Sequence, residues 1–286
     1  MKQPSTDGFT LLELSIVLVV ISLITASIVV GRDLIRLAEI RQQIAQIESF
    51  NTVANTFRVK YNCLPGDCAS AVELGFGAIG GPGDNGNGDG KIHSSEAVGT
   101  ICISAESINF WYHLAQAKML NAVGDFQGYA PGTPFPDNYP GILTPHLILK
   151  SRSLIANSWS NPKGGLIVIN LLEFDRDPMC GGLVNFSALH DERARNFWFF
   201  TTTMETLASA PGVWLPETAY AMDVKIDDGM PRMGNMRSIS GKLSAWNVDG
   251  CVDKTVTPYE YAITRTDVTL ANYANLLCAP IIATTF

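Results

Sequence analysis

Residues Gly8 to Ile24 read GFTLLELSIVLVVISLI, an apolar run that carries one acidic residue, Glu13, and follows a short polar leader ending in glycine. From Phe9 to Gly31 a helix would rise roughly 34 Å, enough to cross a bilayer core, so burial inside a soluble domain is a poor explanation of this segment. A carboxylate one turn inside such a helix is energetically unfavourable and marks function and a specific partner. A secretory signal peptide has a shorter apolar core followed by an A-x-A-like cut. Ala26 and Ser27 mimic that cut, but a glutamate within the apolar core argues against it. An ordinary single-pass anchor is the remaining alternative.

Gly8, Phe9, Thr10, Leu11, Leu12 and Glu13 resemble, position by position, the processing motif of the type IV pilin and type II secretion pseudopilin superfamily. The resemblance covers the N-terminal helix only. It implies cleavage after Gly8 by a prepilin peptidase, methylation of Phe9, and assembly through Glu13, whose carboxylate neutralises the N-terminal amine of a neighbouring subunit. It also implies a single pass of the inner membrane, with the N-terminus cytoplasmic before cleavage and the globular domain periplasmic, followed by transfer into a pilus or pseudopilus. The leader MKQPSTDG departs from the usual pattern in carrying Asp7 beside the cut, and Lys2 is its one cationic side chain.

Beyond Gly31 the polarity changes. The stretch RDLIRLAEIRQQIAQIESFNTVANTFRVKYN has no Gly or Pro and is rich in helix formers. One helix is therefore expected from about Phe9 to about Tyr61, with residues 9–31 as its transmembrane half and residues 32–62 as its amphipathic half. Leu37, Ile40, Ile44, Ile47, Phe50, Ala54 and Phe57 recur at three- and four-residue spacing, while Arg36, Arg41, Gln43 and Glu48 fall elsewhere. A free coiled coil is the competing reading, but Asn51 and Asn55 interrupt the stripe. The resemblance implies packing against the chain's own globular domain, residues 63–286.

The formal net charge of -7 and the lack of a compact Lys/Arg cluster argue against a nucleic-acid partner. All six cysteines, Cys63, Cys68, Cys102, Cys180, Cys251 and Cys278, follow the apolar segment. On the side a pilin exposes to the oxidising periplasm, an even count is expected to form disulfides. Cys63 and Cys68 bracket the turn LPGD, and a bond between Cys251 and Cys278 would tie down the C-terminal segment, although spacing alone leaves the connectivity open. Without a C-x-x-C pair or grouped histidines, a structural zinc site is not expected.

After the first cysteine pair comes GAIGGPGDNGNGDGKIHSSEAVG, the most glycine-dense part of the chain. Aligned from Asn85, it meets most of the EF-hand loop pattern. Asn85, Asn87 and Asp89 alternate, Gly90 takes the sharp turn, Lys91 offers its carbonyl, His93 acts through water, and Glu96 closes the loop. Such hard oxygen ligands suit Ca2+, bound weakly and structurally because only Asp89 and Glu96 carry charge. An ion-free Gly/Asn turn is the competing reading.

Further on, Ser104 caps an expected helix in AESINFWYHLAQAKML, with Ile108, Trp111, Tyr112, Ala115 and Met119 at helical spacing. The proline- and aromatic-rich stretch from Gly124 to Pro145 reads as an ordered irregular loop in which Tyr129, Phe135 and Tyr139 are candidate partner contacts. GGLIVINLLEF reads as a buried strand and NFWFFTTT as strand or helix. AYAMDVKIDDGMPRMGNMRSISGKLSAW alternates on either side of Asp227-Asp228-Gly229, which predicts a strand, a turn and another strand. Its D-x-K-I-D-D-G-x-P segment resembles one found in large pilin-like proteins. Asp223, Asp227 and Asp228 are either a second ion site or caps of a solvated turn.

His190, Asp191 and Glu192 form a polar cluster, but no nucleophile elbow, Walker loop or H-E-x-x-H pattern accompanies them, so an enzyme is not expected. The fold class expected is α+β, a long N-terminal helix followed by a globular domain containing an antiparallel sheet. The function expected from the resemblance is that of a structural subunit, minor or tip-proximal, of a type IV pilus or type II secretion pseudopilus, with other pilin or pseudopilin subunits as partners. A pilus-displayed adhesin is the alternative, and an anchored periplasmic enzyme ranks below it.

Overall fold

The computed structural model describes residues 10–77, 84–92, 105–120, 144–149, 165–170, 195–201, 212–240, 251–253, 258–263 and 277–286. These residues have an α+β architecture: α1 (Leu11–Tyr61), α2 (Ala105–Gln116), β1 (Gly165–Asn170), β2 (Asn196–Thr201), α3 (Pro216–Ile226), β3 (Met236–Ser240), β4 (Val252–Asp253), β5 (Glu260–Tyr261) and β6 (Cys278–Ala283). The chain divides into two compact units, Met1–Gln42 and Gln43–Phe286, with the boundary inside α1.

In the first unit, side chains from Leu11 to Val30 lie exposed along an apolar helix long enough to cross a membrane. Leu37, which the apolar stripe included, is exposed as well. In the second unit the stripe holds: Ile47, Phe50, Ala54 and Phe57 are buried. Gln43 and Gln46 are buried beside them, although the stripe placed Gln43 elsewhere. Their burial is tolerable because both amides are satisfied. Gln43 Nε2 donates to Gln46 Oε1 at 2.8 Å, Gln43 Oε1 accepts the N–H groups of Ile148 and Leu149, and Gln46 Nε2 donates to the His146 carbonyl at 2.9 Å. The two glutamines thus hold a loop strand against the helix where leucines would leave its backbone unpaired.

The main sheet has the order β1-β2-β6-β3, with every pair antiparallel. The apolar runs of β1 and β2 do form strands, in register from Gly165 opposite Thr201 to Asn170 opposite Asn196. Strand β6 is buried along its whole length yet contains Pro280, a residue that cannot donate to a ladder. Pairing with β2 ends at Ile281, one residue before the proline is reached. Beyond it the segment at Trp214 takes over, where Cys278 N donates to the Trp214 carbonyl at 2.6 Å and Val213 N to the Cys278 carbonyl at 2.7 Å. Strands β4 and β5 form a separate two-stranded ladder.

The expected strand before Asp227 is instead the helix α3. Pro216 occupies its first turn, where a missing N–H does no harm, and Glu217 follows favourably. The buried residues Pro216, Ala219, Met222 and Asp223 recur at helical spacing, a period that the local apolar-polar alternation masked. The second half of that expectation holds, since β3 follows the turn. The α2 face is also rotated from the one read in sequence. Phe110, Trp111 and Leu114 are fully buried, whereas Ile108, Tyr112, Ala115 and Met119 are half-buried.

Aromatic rings fill the space between α1, α2 and β2. Trp111 meets Phe50 edge-on at 4.9 Å and Trp198 at 5.7 Å, and Phe286 closes the cluster at 5.6 Å from Phe110 and 5.7 Å from Trp198. Such offset and edge-to-face pairs add about 0.5–1.5 kcal/mol each beyond their burial. The disulfides Cys63–Cys68 and Cys251–Cys278 are formed, the second fastening the segment before β4 to the start of β6. Cys102 and Cys180 lie outside the described residues.

Candidate functional site

Three places bear on function, and the N-terminal one begins at Thr10. Its hydroxyl accepts the Glu13 N–H at 3.2 Å, while Glu13 Oε2 accepts the Thr10 N–H and hydroxyl, each at 2.8 Å. This is a capping box at the start of α1, with threonine at the N-cap and glutamate three residues on. The single acid of the apolar run is therefore exposed and held at the helix terminus, where the dipole favours negative charge. The motif T-L-L-E was itself a capping-box signal that the reading of Glu13 as an assembly residue passed over. Gly8 and Phe9 lie outside the described residues.

The second place is the glycine-rich loop, described from Asp84 to Ile92. Its oxygens are already engaged within the chain. Asn85 Oδ1 accepts the Val72 N–H at 2.9 Å, Asn87 Oδ1 accepts that of Asp89 at 3.0 Å, and Asp89 Oδ1 accepts that of Lys91 at 2.9 Å. The backbone N–H groups of Gly88 and Asp89 converge on Asp67 Oδ1, and that of Gly90 on Asp67 Oδ2. Successive N–H groups aimed at one carboxylate form an anion nest, here filled by the protein's own buried aspartate. Burial raises the Asp67 pKa, which these hydrogen bonds oppose and the charge of Asp89 reinforces. Gly86 is required on steric grounds, because a Cβ there would run into the Asp67 backbone. At the far end Asn196 of β2 anchors the loop, accepting the Ile92 N–H at 3.0 Å and donating to the Gly90 carbonyl at 3.2 Å. Asn85, Asn87, Asp89 and Lys91 are thus neighbours in one ordered turn, while His93 and Glu96 lie outside the described residues. Asp67 escaped the sequence reading because it belongs to the Cys63–Cys68 turn, far from the loop it organises.

The third place is the C-terminal end of α3, where one carboxylate oxygen from each of Asp223, Asp227 and Asp228 lies within 4.8 Å of the others. Two of these acids shape the turn. Asp227 Oδ1 accepts the Asp228 N–H at 2.9 Å, its Oδ2 accepts the N–H groups of Asn235 and Met236, and Asp228 Oδ1 accepts that of Met230 at 2.8 Å. Gly234, at φ +71°, sits directly against the Asp227 carboxylate and leaves no room for a Cβ.

Asp223 differs from both in being fully buried on the inner face of α3. Its Oδ2 accepts the Tyr261 hydroxyl at 2.7 Å, and that hydroxyl is in turn 3.0 Å from the hydroxyl of Ser238. Its Oδ1 is buried and receives no hydrogen bond from any N–H or hydroxyl group. Burial, then the hydrogen bond with Asp227 and the charges of Asp227 and Asp228, push the Asp223 carboxyl up to about 8, with the Tyr261 bond opposing. For Asp227, burial works against the charge but is outweighed by hydrogen bonds from Asp223 and the turn N–H groups, so its pKa is lowered. Burial and the neighbouring Asp223 charge hold the Tyr261 hydroxyl well above its ordinary range, so it remains a donor.

His190, Asp191 and Glu192, and the aromatic residues Tyr129, Phe135 and Tyr139, lie outside the described residues. Comparison with protein-family models, curated proteins and solved structures finds no match to this chain.

Proposed function

We propose that this chain is a structural subunit, minor or tip-proximal, of a type IV pilus or type II secretion pseudopilus, whose work is assembly and display rather than chemistry. The observation that carries this reading is the 51-residue helix α1. Its first part exposes apolar side chains from Leu11 to Val30, and its last part, from Gln43 onward, belongs to the core of the second unit. A helix of that kind joins a membrane anchor to a folded domain without a linker, and the same anchor offers a surface to neighbouring helices. The processing motif from Gly8 to Glu13 supports the same reading. In it, a prepilin peptidase releases Phe9 as the new N-terminus, and Glu13 leaves its bonds to Thr10 to meet the amine of an adjacent subunit. The membrane is the inner membrane and the second unit faces the periplasm, where the two described disulfides are chemically at home.

Mass analysis of the mature N-terminus tests the processing step, with a methylated Phe9 expected and an intact Met1 counting decisively against it. Filament incorporation of Glu13→Ala tests the assembly step. Exclusion of the variant from filaments is expected, and normal incorporation contradicts the pairing role.

A further inference from the structure

We propose that Asp223, Asp227 and Asp228 form a site for a hard divalent cation of the calcium class, which bridges the buried oxygen of Asp223 to the two turn carboxylates. The inference is independent of how the chain assembles. Turn-capping accounts for Asp227 and Asp228, whose oxygens receive backbone N–H groups. It does not account for Asp223, which is fully buried and whose Oδ1 receives no hydrogen bond from any N–H or hydroxyl group. A buried carboxylate oxygen left without a donor is strongly unfavourable. The helix offers no relief, since all three acids sit at its C-terminal end, where the dipole adds further negative potential.

A positive bridge among the three carboxylates resolves both difficulties. Their oxygens already lie within 4.8 Å of one another, and each carboxylate oxygen that accepts an N–H retains a second lone pair for an ion. Exposed Asp227 and Asp228 would let water complete a shell of six to eight ligands. An all-oxygen donor set selects calcium or magnesium over softer metals, and three protein carboxylates favour calcium, since magnesium keeps most of its waters and takes one or two carboxylates. Tyr261 of β5, whose hydroxyl also bonds that of Ser238 of β3, holds the other Asp223 oxygen in place, so the ion would fasten the end of α3 to both strands.

Calorimetric titration of the full chain in detergent micelles with calcium chloride, after removal of divalent ions, tests the site alongside thermal unfolding with and without the salt. Wild type is expected to show binding heat and a melting temperature raised by several degrees. Asp223→Asn is expected to lose both responses. Asp228→Asn alters an exposed residue and keeps an oxygen for the Met230 N–H, and should bind about tenfold more weakly because the site has lost a ligand charge. Asp89→Ala, in the glycine-rich loop, should leave both responses intact. Absence of calcium heat in wild type, together with Asp223→Asn melting at or above wild type, would overturn the proposal and assign the bridge to a proton shared by Asp223 and Asp227. A response that survives Asp223→Asn and Asp228→Asn but is lost in Asp89→Ala would overturn it in favour of the glycine-rich loop.

Discussion

Trp198 donates its indole N–H to the side-chain oxygen of Asn51 at 2.9 Å, joining the middle of β2 to the long helix through a polar bond at the edge of an aromatic core. The same Asn51 oxygen accepts the Thr285 N–H at 3.4 Å, and Asn55 donates to the Thr285 hydroxyl at 3.1 Å. The two asparagines that interrupt the apolar stripe of α1 are therefore its docking points for the sheet and the C-terminal segment. Asn51→Leu leaves a fully buried indole donor without an acceptor and is expected to destabilise the domain by about 1–3 kcal/mol. Asn51→Asp keeps the acceptor and should lose less. Thermal unfolding of the two variants, followed by tryptophan fluorescence, gives the comparison, and equal losses would contradict the role of the bond.

Asp67 organises a loop to which it is not adjacent in sequence. Asp67→Ala removes the acceptor shared by Gly88, Asp89 and Gly90, and a stability loss of about 1–3 kcal/mol is expected from the unpaired N–H groups. Amide exchange at Gly88 and Gly90 should accelerate more than exchange at Trp198, whose strand is held by its own ladder. Unchanged protection at the two glycines would show that the nest is not what orders the loop.

The Cys251–Cys278 bond closes a 27-residue separation and ties the segment before β4 to β6. Replacing both cysteines by serine should destabilise the domain by about 2–5 kcal/mol, through the freedom restored to the unfolded chain. Peptide mapping under non-reducing conditions checks the linkage first, and denaturant unfolding with and without reductant then measures the effect.

Gly234 combines a left-handed backbone with direct contact to the Asp227 carboxylate. Gly234→Ala is expected to cost about 1–3 kcal/mol, because the new Cβ meets both a strained φ and a carboxylate that is fixed by the N–H groups of Asn235 and Met236. The melting temperature should fall accordingly. If instead it stays at the wild-type value, the turn between α3 and β3 is not rigid enough to hold the three acids together.

Local pattern in the chain determined the long helix, the strand β1 and the α+β class, because each depends on neighbouring residues, whereas β2 was open between strand and helix until its pairing with β1 and β6. The leader, its glycine and the lone acid carry the resemblance on which the proposed processing and assembly rest. Local pattern failed where two periods overlapped. In the stretch preceding Asp227, strict alternation masked burial at helical spacing, and Pro216 was the stronger cue to a helix. It also failed for Gln43, whose burial, like that of Gln46, depends on the backbone of residues 146–149, about a hundred positions away. The same holds for the sites. Composition brought Asn85, Asn87 and Asp89 into one turn, but only the tertiary structure placed Asp67 beneath it and buried Asp223 while leaving the neighbouring Asp227 and Asp228 open to solvent. Burial and hydrogen-bond partners of a single carboxylate are set by elements distant in sequence, so no local spacing encodes them.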